Sequence, residues 1–460
     1  MSAQRRTDLL ARYPALKRLL LSRAVQPVPM LATLAFFALA VLAGLFGTPA
    51  GSRNFGIIFV WIVWWALLIL LLVPLTGRLW CAICPIPAPG EWLQRRGIIR
   101  RTGGKLRTLG WRWPRRLKNM WLQNFGFLGI AIFSTVILTR PRVSAWVLLG
   151  LVLLGVALSL LYEKRVFCKY VCPVGGFIGL YSMLAPLELR VRDPQVCASH
   201  TSKDCVTGNE HGYGCPWLIY PGGLRRNIDC GLCTECLKTC PRDNITLNLR
   251  PAGSDLLAAQ EGRLDEAYKG FIMLGCALLY SVVLLGPWGW LKDWANLERL
   301  PYWALYALGF LAFNLAILPG LFWLAAAIAH RLSSGKSSLR RLFVDYSYAL
   351  VPFGLAAWIA FSLGFVLING SYALAVLSDP FGWGWDLFGT AGVPWTPLWP
   401  DLIPFLQVGV LMPGLLFAVW IAYQVARRHS DTLPQAGRAM LPVTGFLLAV
   451  TLVFLRLYLG

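Results

Sequence analysis

Residues 230–241 read CGLCTECLKTCP, four thiols in a C-x2-C-x2-C-x3-C-P run. Bacterial-type ferredoxins use that run to wrap thiolates around a 4Fe-4S cube. Offsets of three residues let successive sulfurs point inward from one tight coil around a compact iron core, a geometry that neighbouring disulfides would not require. Structural zinc is the competing chemistry, because paired C-x2-C elements also bind Zn2+, but zinc sites rarely carry a third evenly spaced cysteine and then Cys-Pro. Iron–sulfur ligation is the expectation for Cys230, Cys233, Cys236 and Cys240.

The chain holds twelve cysteines, and eleven fall into groups once Cys276, set in an apolar run, is read as a packing residue. In two-cluster ferredoxins the fourth thiolate of a motif comes from the Cys-Pro of the other. Cys215, followed by Pro216, is placed to complete Cys230, Cys233 and Cys236. Cys240 then serves a second cluster with Cys197 and Cys205 of VCASHTSKDC, where His200 occupies the place of a middle cysteine. Imidazole ligation of iron in such a centre is known and raises its potential. An ordinary surface histidine is the plain alternative for His200, and one cluster held by residues 230–240 alone is the simpler alternative for the segment. Cys81, Cys84, Cys168 and Cys172 form another set of four, in CAICP and CKYVCP; a redox-active dithiol or another metal competes with a further cluster there. Proline after Cys84 and after Cys172 blocks helix continuation and turns the chain away from the metal. Two or three 4Fe-4S clusters are expected in all.

These ligands need a scaffold, and the composition says which kind. Of 460 residues 57% are apolar and 14% charged, too hydrophobic for a soluble domain. Uncharged apolar runs of about 20 residues, enough to cross the hydrocarbon core as helices, occur near 27–47, 56–76, 121–139, 143–161, 268–288, 302–329, 347–369, 403–425 and 441–459. The loops 1–23, 77–119, 331–342 and 427–439 together carry 24 Lys and Arg, whereas 48–55, 139–142, 288–301 and 371–401 carry 5. Short basic loops stay inside, so the N-terminus is expected in the cytoplasm and the C-terminus in the periplasm of a bacterial cytoplasmic membrane. Much of the net charge of +22 is then topology signal and attraction to anionic lipid, as in RRGIIRRTGGKLRTLGWRWPRRLK at 95–118. Nucleic acid is not expected as a partner, because that stretch sits between two spans. The first apolar run is longer than a secretory signal and lacks a clean cleavage site, so it is read as a retained helix.

Between the fourth and fifth spans the apolar pattern stops, and residues 162–267 are polar, Cys-rich and turn-rich. The expected fold is an all-α polytopic membrane protein of about nine transmembrane helices with an inserted small α+β, bacterial-ferredoxin-like iron–sulfur domain. Its expected parts are a membrane domain at 1–161, a cytoplasmic iron–sulfur domain at 162–267 and a second membrane domain at 268–460.

CAICPIPAPGEW and CKYVCPVGGFIGLYS resemble the membrane-embedded Cys-Pro motifs of the NosR/NapH/CcoG-type polyferredoxins, and GNEHGYGCPWLIYPGGLRRNIDCGLCTECLKTCPRDNI resembles the ferredoxin portion of one branch of that family. The resemblance covers about residues 55–250. It implies a membrane iron–sulfur protein that passes electrons toward membrane or periplasmic metalloenzymes, in some branches drawing them from quinol. The first motif is C-x2-C-P where C-x3-C-P is usual, and residues 266–460 have no counterpart in the resemblance.

The C-terminal half offers less chemistry. Only His330 and His429 are available for haem there, and both are read as interfacial residues beside Arg. Trp383, Trp385, Trp395 and Trp399 crowd the loop 381–401 as a membrane-boundary belt, with a quinone pocket or a docking face as the sharper reading. Asn314 and Asn369 are expected to pack between helices. Lys169, Lys238 and Arg242, beside the cysteines, are expected to favour reduced clusters. No nucleophile–base or carboxylate pair supports hydrolysis. An electron carrier is the expected function; a membrane redox sensor or metalloenzyme assembly factor, and a transporter on the last five spans, are the other classes. Intramembrane charge pairs, which a transporter would want, are not evident.

Overall fold

In the computed structural model the described residues are 6–99, 107–258, 262–334 and 337–460. Parts of the basic segments expected at the inner face, residues 1–5, 100–106 and 335–336, lie outside them, as do residues 259–261.

Eight helices among the described residues are long and apolar enough to cross a bilayer: Pro27–Phe46, Gly56–Thr76, Pro141–Leu161, Leu264–Leu285, Leu300–Leu332, Leu339–Asn369, Pro400–Arg428 and Leu433–Leu459. This is a multi-pass membrane protein. The ninth expected span, 121–139, is instead two helices, Trp121–Ile132 and Ser134–Thr139, broken at Phe133 with φ −92 and ψ 10. A 12-residue helix rises only about 18 Å at 1.5 Å per residue, short of the ~30 Å hydrocarbon thickness. Two other helices start earlier than their apolar runs because their caps lie in the polar flank. The Ser338 hydroxyl accepts from the Arg341 N–H and the Thr432 hydroxyl from that of Gln435, the usual N-cap device.

The chain divides into two compact units: residues 1–41, 71–123 and 146–255, and residues 42–70, 124–145 and 256–460. The first unit contains a three-stranded antiparallel sheet of β1 (Thr7–Asp8), β2 (Leu187–Val191) and β3 (Ile245–Leu249), with β3 in the middle. Thr7 and Leu187 both pair with Leu249, and Val191 pairs with Ile245. The N-terminal segment supplies the third strand of this sheet. Leu10, Leu189, Leu232, Leu237, Ile245 and Leu247 form the core beneath the sheet, with the Cys205 and Cys236 side chains inside it; each fully buried aliphatic side chain contributes about 1.5–3 kcal/mol. An ion network locks the sheet to the loop ahead of Cys230. Arg250 and Arg190 reach buried Glu188 at 2.9 and 3.2 Å, and Asp255, bonded to Arg250, accepts from the Asn227 N–H at 2.6 Å.

The second unit is helical. Cys276 is fully buried, as a packing residue should be, and its thiol lies 3.8 Å from the Asn314 side-chain oxygen. Asn314 and Asn369 donate within their own helices to the carbonyls of Phe310 and Phe365. Asp265, Glu266 and Lys269 are buried in helix Leu264–Leu285, so charged groups do enter a span. Trp383, Trp385, Trp395 and Trp399 are exposed.

Candidate metal centres

All twelve cysteines are free thiols, and all except Cys276 lie in the first unit. The first set is assembled by two chain reversals. Helix Gly56–Thr76 ends at Gly77, whose φ of +67 is a left-handed turn that glycine adopts without strain. A short helix, Leu79–Ile83, carries Cys81, and Cys84 caps it in an extended conformation ahead of Pro85. On the other strand of the chain, Cys172 is the N-cap of helix Pro173–Tyr181, and its sulfur accepts from the Gly175 N–H at 3.3 Å. A Cβ at Gly175 would stand 2.9 Å from the Cys168 carbonyl oxygen, so only glycine lets this turn close on the two thiols. Burial pushes the Cys84 and Cys168 thiols well up, and charge on the other members of the set pushes them further. Cys172 rises only to about 11, burial being opposed by the N–H groups of Gly175 and Val174.

Cys215, Cys230, Cys233 and Cys236 line one cavity, walled by Leu189, Trp217 and Leu224. The coil between them is tight: Leu232 and Thr234 both sit at positive φ, 50 and 59, a costly conformation for side-chain-bearing residues. It turns N–H groups toward sulfur. Burial raises Cys230 to about 11 and Cys233 further, while the N–H groups of Leu232 and Glu235 pull them back. Cys240 is not among the residues that line the cavity.

Cys205 is raised to about 11 by burial and then by charge on Cys240 and Cys197, which gathers the third set. Asn244 spans it, its N–H donating to the Cys240 sulfur at 3.4 Å and its side-chain amide to the Cys197 sulfur at 3.3 Å. His200 is half-buried, and its Nδ1 finds no hydrogen-bond partner among the described residues. The third set adjoins the second, since the Cys215 N–H donates to the Cys205 carbonyl at 2.8 Å.

Among the described residues no three or more His, Cys, Asp or Glu side chains converge closely enough to grip a single metal ion. A four-iron cube places each thiolate on its own iron and asks for a wider spread. Backbone and amide N–H groups aimed at sulfur are the contacts that tune such a cluster. Buried thiols with N–H groups aimed at their sulfurs are the donor chemistry that suits an iron–sulfur cluster.

Two buried arginines stand between the first and second sets. Arg165 grips Glu91 with Nε 3.1 Å from each carboxylate oxygen and Nη2 2.6 Å from Oε2. Its Nη1 donates to the Cys81 carbonyl at 2.6 Å, and its backbone N–H to the Pro216 carbonyl at 2.9 Å. Arg78 stacks on the Trp217 ring, 4.3 Å from the centroid, and donates to the Ile228 carbonyl.

Residues 57–105 and 144–191 match the model of a 4Fe-4S binding domain. The two segments contain Cys81 with Cys84, and Cys168 with Cys172. Over 132 residues the chain is 26% identical to YccM of Escherichia coli (strain K12), which is named only as a candidate electron transport protein; the match covers 28% of this chain and 34% of the relative. It is also 26% identical over 101 residues to the uncharacterized protein MJ0750 of Methanocaldococcus jannaschii, covering 22% of this chain and 38% of the relative. The chain thus spans little more than a third of either relative. No solved structure matches it.

Some of the cations expected to act on the clusters are otherwise engaged. Lys238 is neutralised by Glu235 at 2.8 Å, and the Lys169 ammonium donates to the Trp217 carbonyl at 2.9 Å. Arg242 is exposed. His330 and His429 both bond to Ser337, and His429 also meets Asp345 at 3.0 Å. Sequence reasoning missed Arg78, Glu91 and Arg165. The one available signal was charge flanking the Cys-Pro pairs, in TGRLWC, PGEW and YEKRVFC.

Proposed function

We propose that the protein is a membrane-integral electron carrier of the NosR/NapH/CcoG-type polyferredoxin kind, holding three iron–sulfur clusters. The observation that carries this reading is the convergence of two Cys-Pro pairs, one from each matched segment, on a second four-cysteine ring through Arg165. Cys81, Cys84, Cys168 and Cys172 hold one 4Fe-4S cluster; Cys215, Cys230, Cys233 and Cys236 hold another; Cys197, Cys205 and Cys240, with His200 as the fourth ligand, hold the third. Bound there, the clusters supply one-electron transfer, and the protein sets their spacing and potential.

The chain's own residues impose an order. The Cys205 to Cys215 hydrogen bond and the Arg165 bridge from Pro216 to Cys81 line up the third, second and first sets as a relay. With the basic loops inside a bacterial cytoplasmic membrane, the third set meets a cytoplasmic donor, and the first set faces quinol or a redox protein in the membrane or periplasm. Burial keeps the unmetallated thiols of Cys84, Cys168, Cys230, Cys233 and Cys236 neutral, and the N–H group of Gly175 favours thiolate at Cys172.

The test is iron and acid-labile sulfide per chain in anaerobically purified protein, with low-temperature EPR after dithionite reduction. About twelve irons per chain are expected for three cubes. Zinc in place of iron would end the proposal. Clusters that reduce but are never reoxidised by quinone analogues or membrane extracts would instead favour a redox sensor.

A further inference from the structure

We infer that Arg78 is a shared counter-cation for the first and second cysteine sets, and that its unneutralised charge raises the reduction potential of both clusters. The inference rests on the electron-carrier reading above. Arg78 is 4% exposed, and it touches the surroundings of both sets. It lies three residues before Cys81, and its Nη1 is 2.9 Å from where a Cβ of Gly179 would be, on the helix that Cys172 caps. On the other side it stacks on Trp217, a wall of the second cavity, and donates to the carbonyl of Ile228, two residues before Cys230.

Two neighbouring cations are neutralised by carboxylates, while the Lys169 ammonium donates to the Trp217 carbonyl at 2.9 Å. Arg165 is held by Glu91 and Lys238 by Glu235. Among the described residues Arg78 makes no ion pair, and its Nε and Nη2 find no acceptor. A buried charge without a partner is costly, and the face of Trp217 offsets only part of that cost. An iron–sulfur cube with four thiolates is an anion in both redox states and gains a further negative charge on reduction. In surroundings of low dielectric, Arg78 stabilises each reduced state more than each oxidised one. Between two such anions it also screens their mutual repulsion.

Full-length wild type, R78Q and R78H would be purified anaerobically, assayed for iron, and titrated with dithionite under EPR. R78Q is expected to keep its iron while both clusters become harder to reduce. The ratio of reduced to oxidised cluster at fixed poise should fall at least tenfold, about 59 mV for a one-electron couple. R78H is expected to show potentials that drop as pH rises through the imidazole range, near pH ~6.5, while wild type stays flat. Full iron in R78Q with unchanged potentials, or a shift in one cluster alone, would overturn the inference and leave the carrier reading intact. If R78Q loses iron, pH-independent potentials in R78H overturn it. Wild-type protein without iron defeats the carrier reading itself.

Discussion

Arg165 closes on Glu91 with both carboxylate oxygens engaged, and the two side chains are 1% and 4% exposed. Removing one partner of a buried pair costs about 3–5 kcal/mol, because the survivor is left charged and alone. Here the survivor would also release the Cys81 carbonyl, so the loss reaches the first cysteine set.

Glu91→Ala is therefore expected to lower the midpoint of thermal unfolding in detergent and to strip iron from the first set. Burial alone would raise the Glu91 carboxyl, but Arg165 and Arg95 overcome it and hold the group below its ordinary 4.5. A depressed folded-state value means that the pair's stabilisation is complete above about pH 4.5 and drains away as pH falls through the folded value. Unfolding temperature against pH should show that fall in wild type and a flatter line in Glu91→Gln. A wild-type midpoint unchanged down to pH ~3 would remove the pair from the stability argument.

Substitution of single cysteines should partition the iron. Cys84→Ser, Cys233→Ser and Cys205→Ser are each expected to lose up to about four irons per chain, and a different EPR signal in each case. Cys276→Ala, which only empties a buried site beside Asn314, should keep every iron. Equal losses from Cys84→Ser and Cys276→Ala would mean that folding, not ligation, is being read.

Gly231 has no room for a side chain: a Cβ there would stand 2.2 Å from Nε1 of Trp217. Gly231→Ala must push the indole or the coil aside, and selective loss of the second cluster's signal is expected. If the variant keeps that signal, the cavity wall is more yielding than its packing implies.

His200→Cys replaces imidazole with thiolate, which lowers an iron–sulfur potential. The expected result is a downward shift of one EPR-monitored couple with the other two unmoved. Unaltered potentials and unaltered iron would return His200 to the surface.

Eight of the nine expected spans, and the Cys-Pro motifs of the two matched segments, were legible because each is written in one variable. Hydrophobic runs declare themselves by length, and Cys-Pro spacing by ligand geometry. What lay hidden depends on contacts between distant segments. Thr7 and Asp8 are too short a run to read as a strand until β3 pairs with them. The break at Phe133 lies in a continuous apolar run. Lys238 looked available to a cluster, although its partner Glu235 was only three residues away. Arg78 counts as topology charge just beyond a span, and Arg165 stands out no more, since nothing local distinguishes a loop arginine from one buried beside cysteines.

The first ring also has a history during synthesis. Cys84 and Cys168 are separated by 84 positions, which a ribosome adding roughly 5–20 residues per second covers in about 4–17 s. For that interval the early pair waits as bare thiols while the later pair has yet to be made. Oxygen or a stray disulfide partner has that window in which to spoil the ring, so yield should depend on how anaerobic the growing cell is, before any electron is carried.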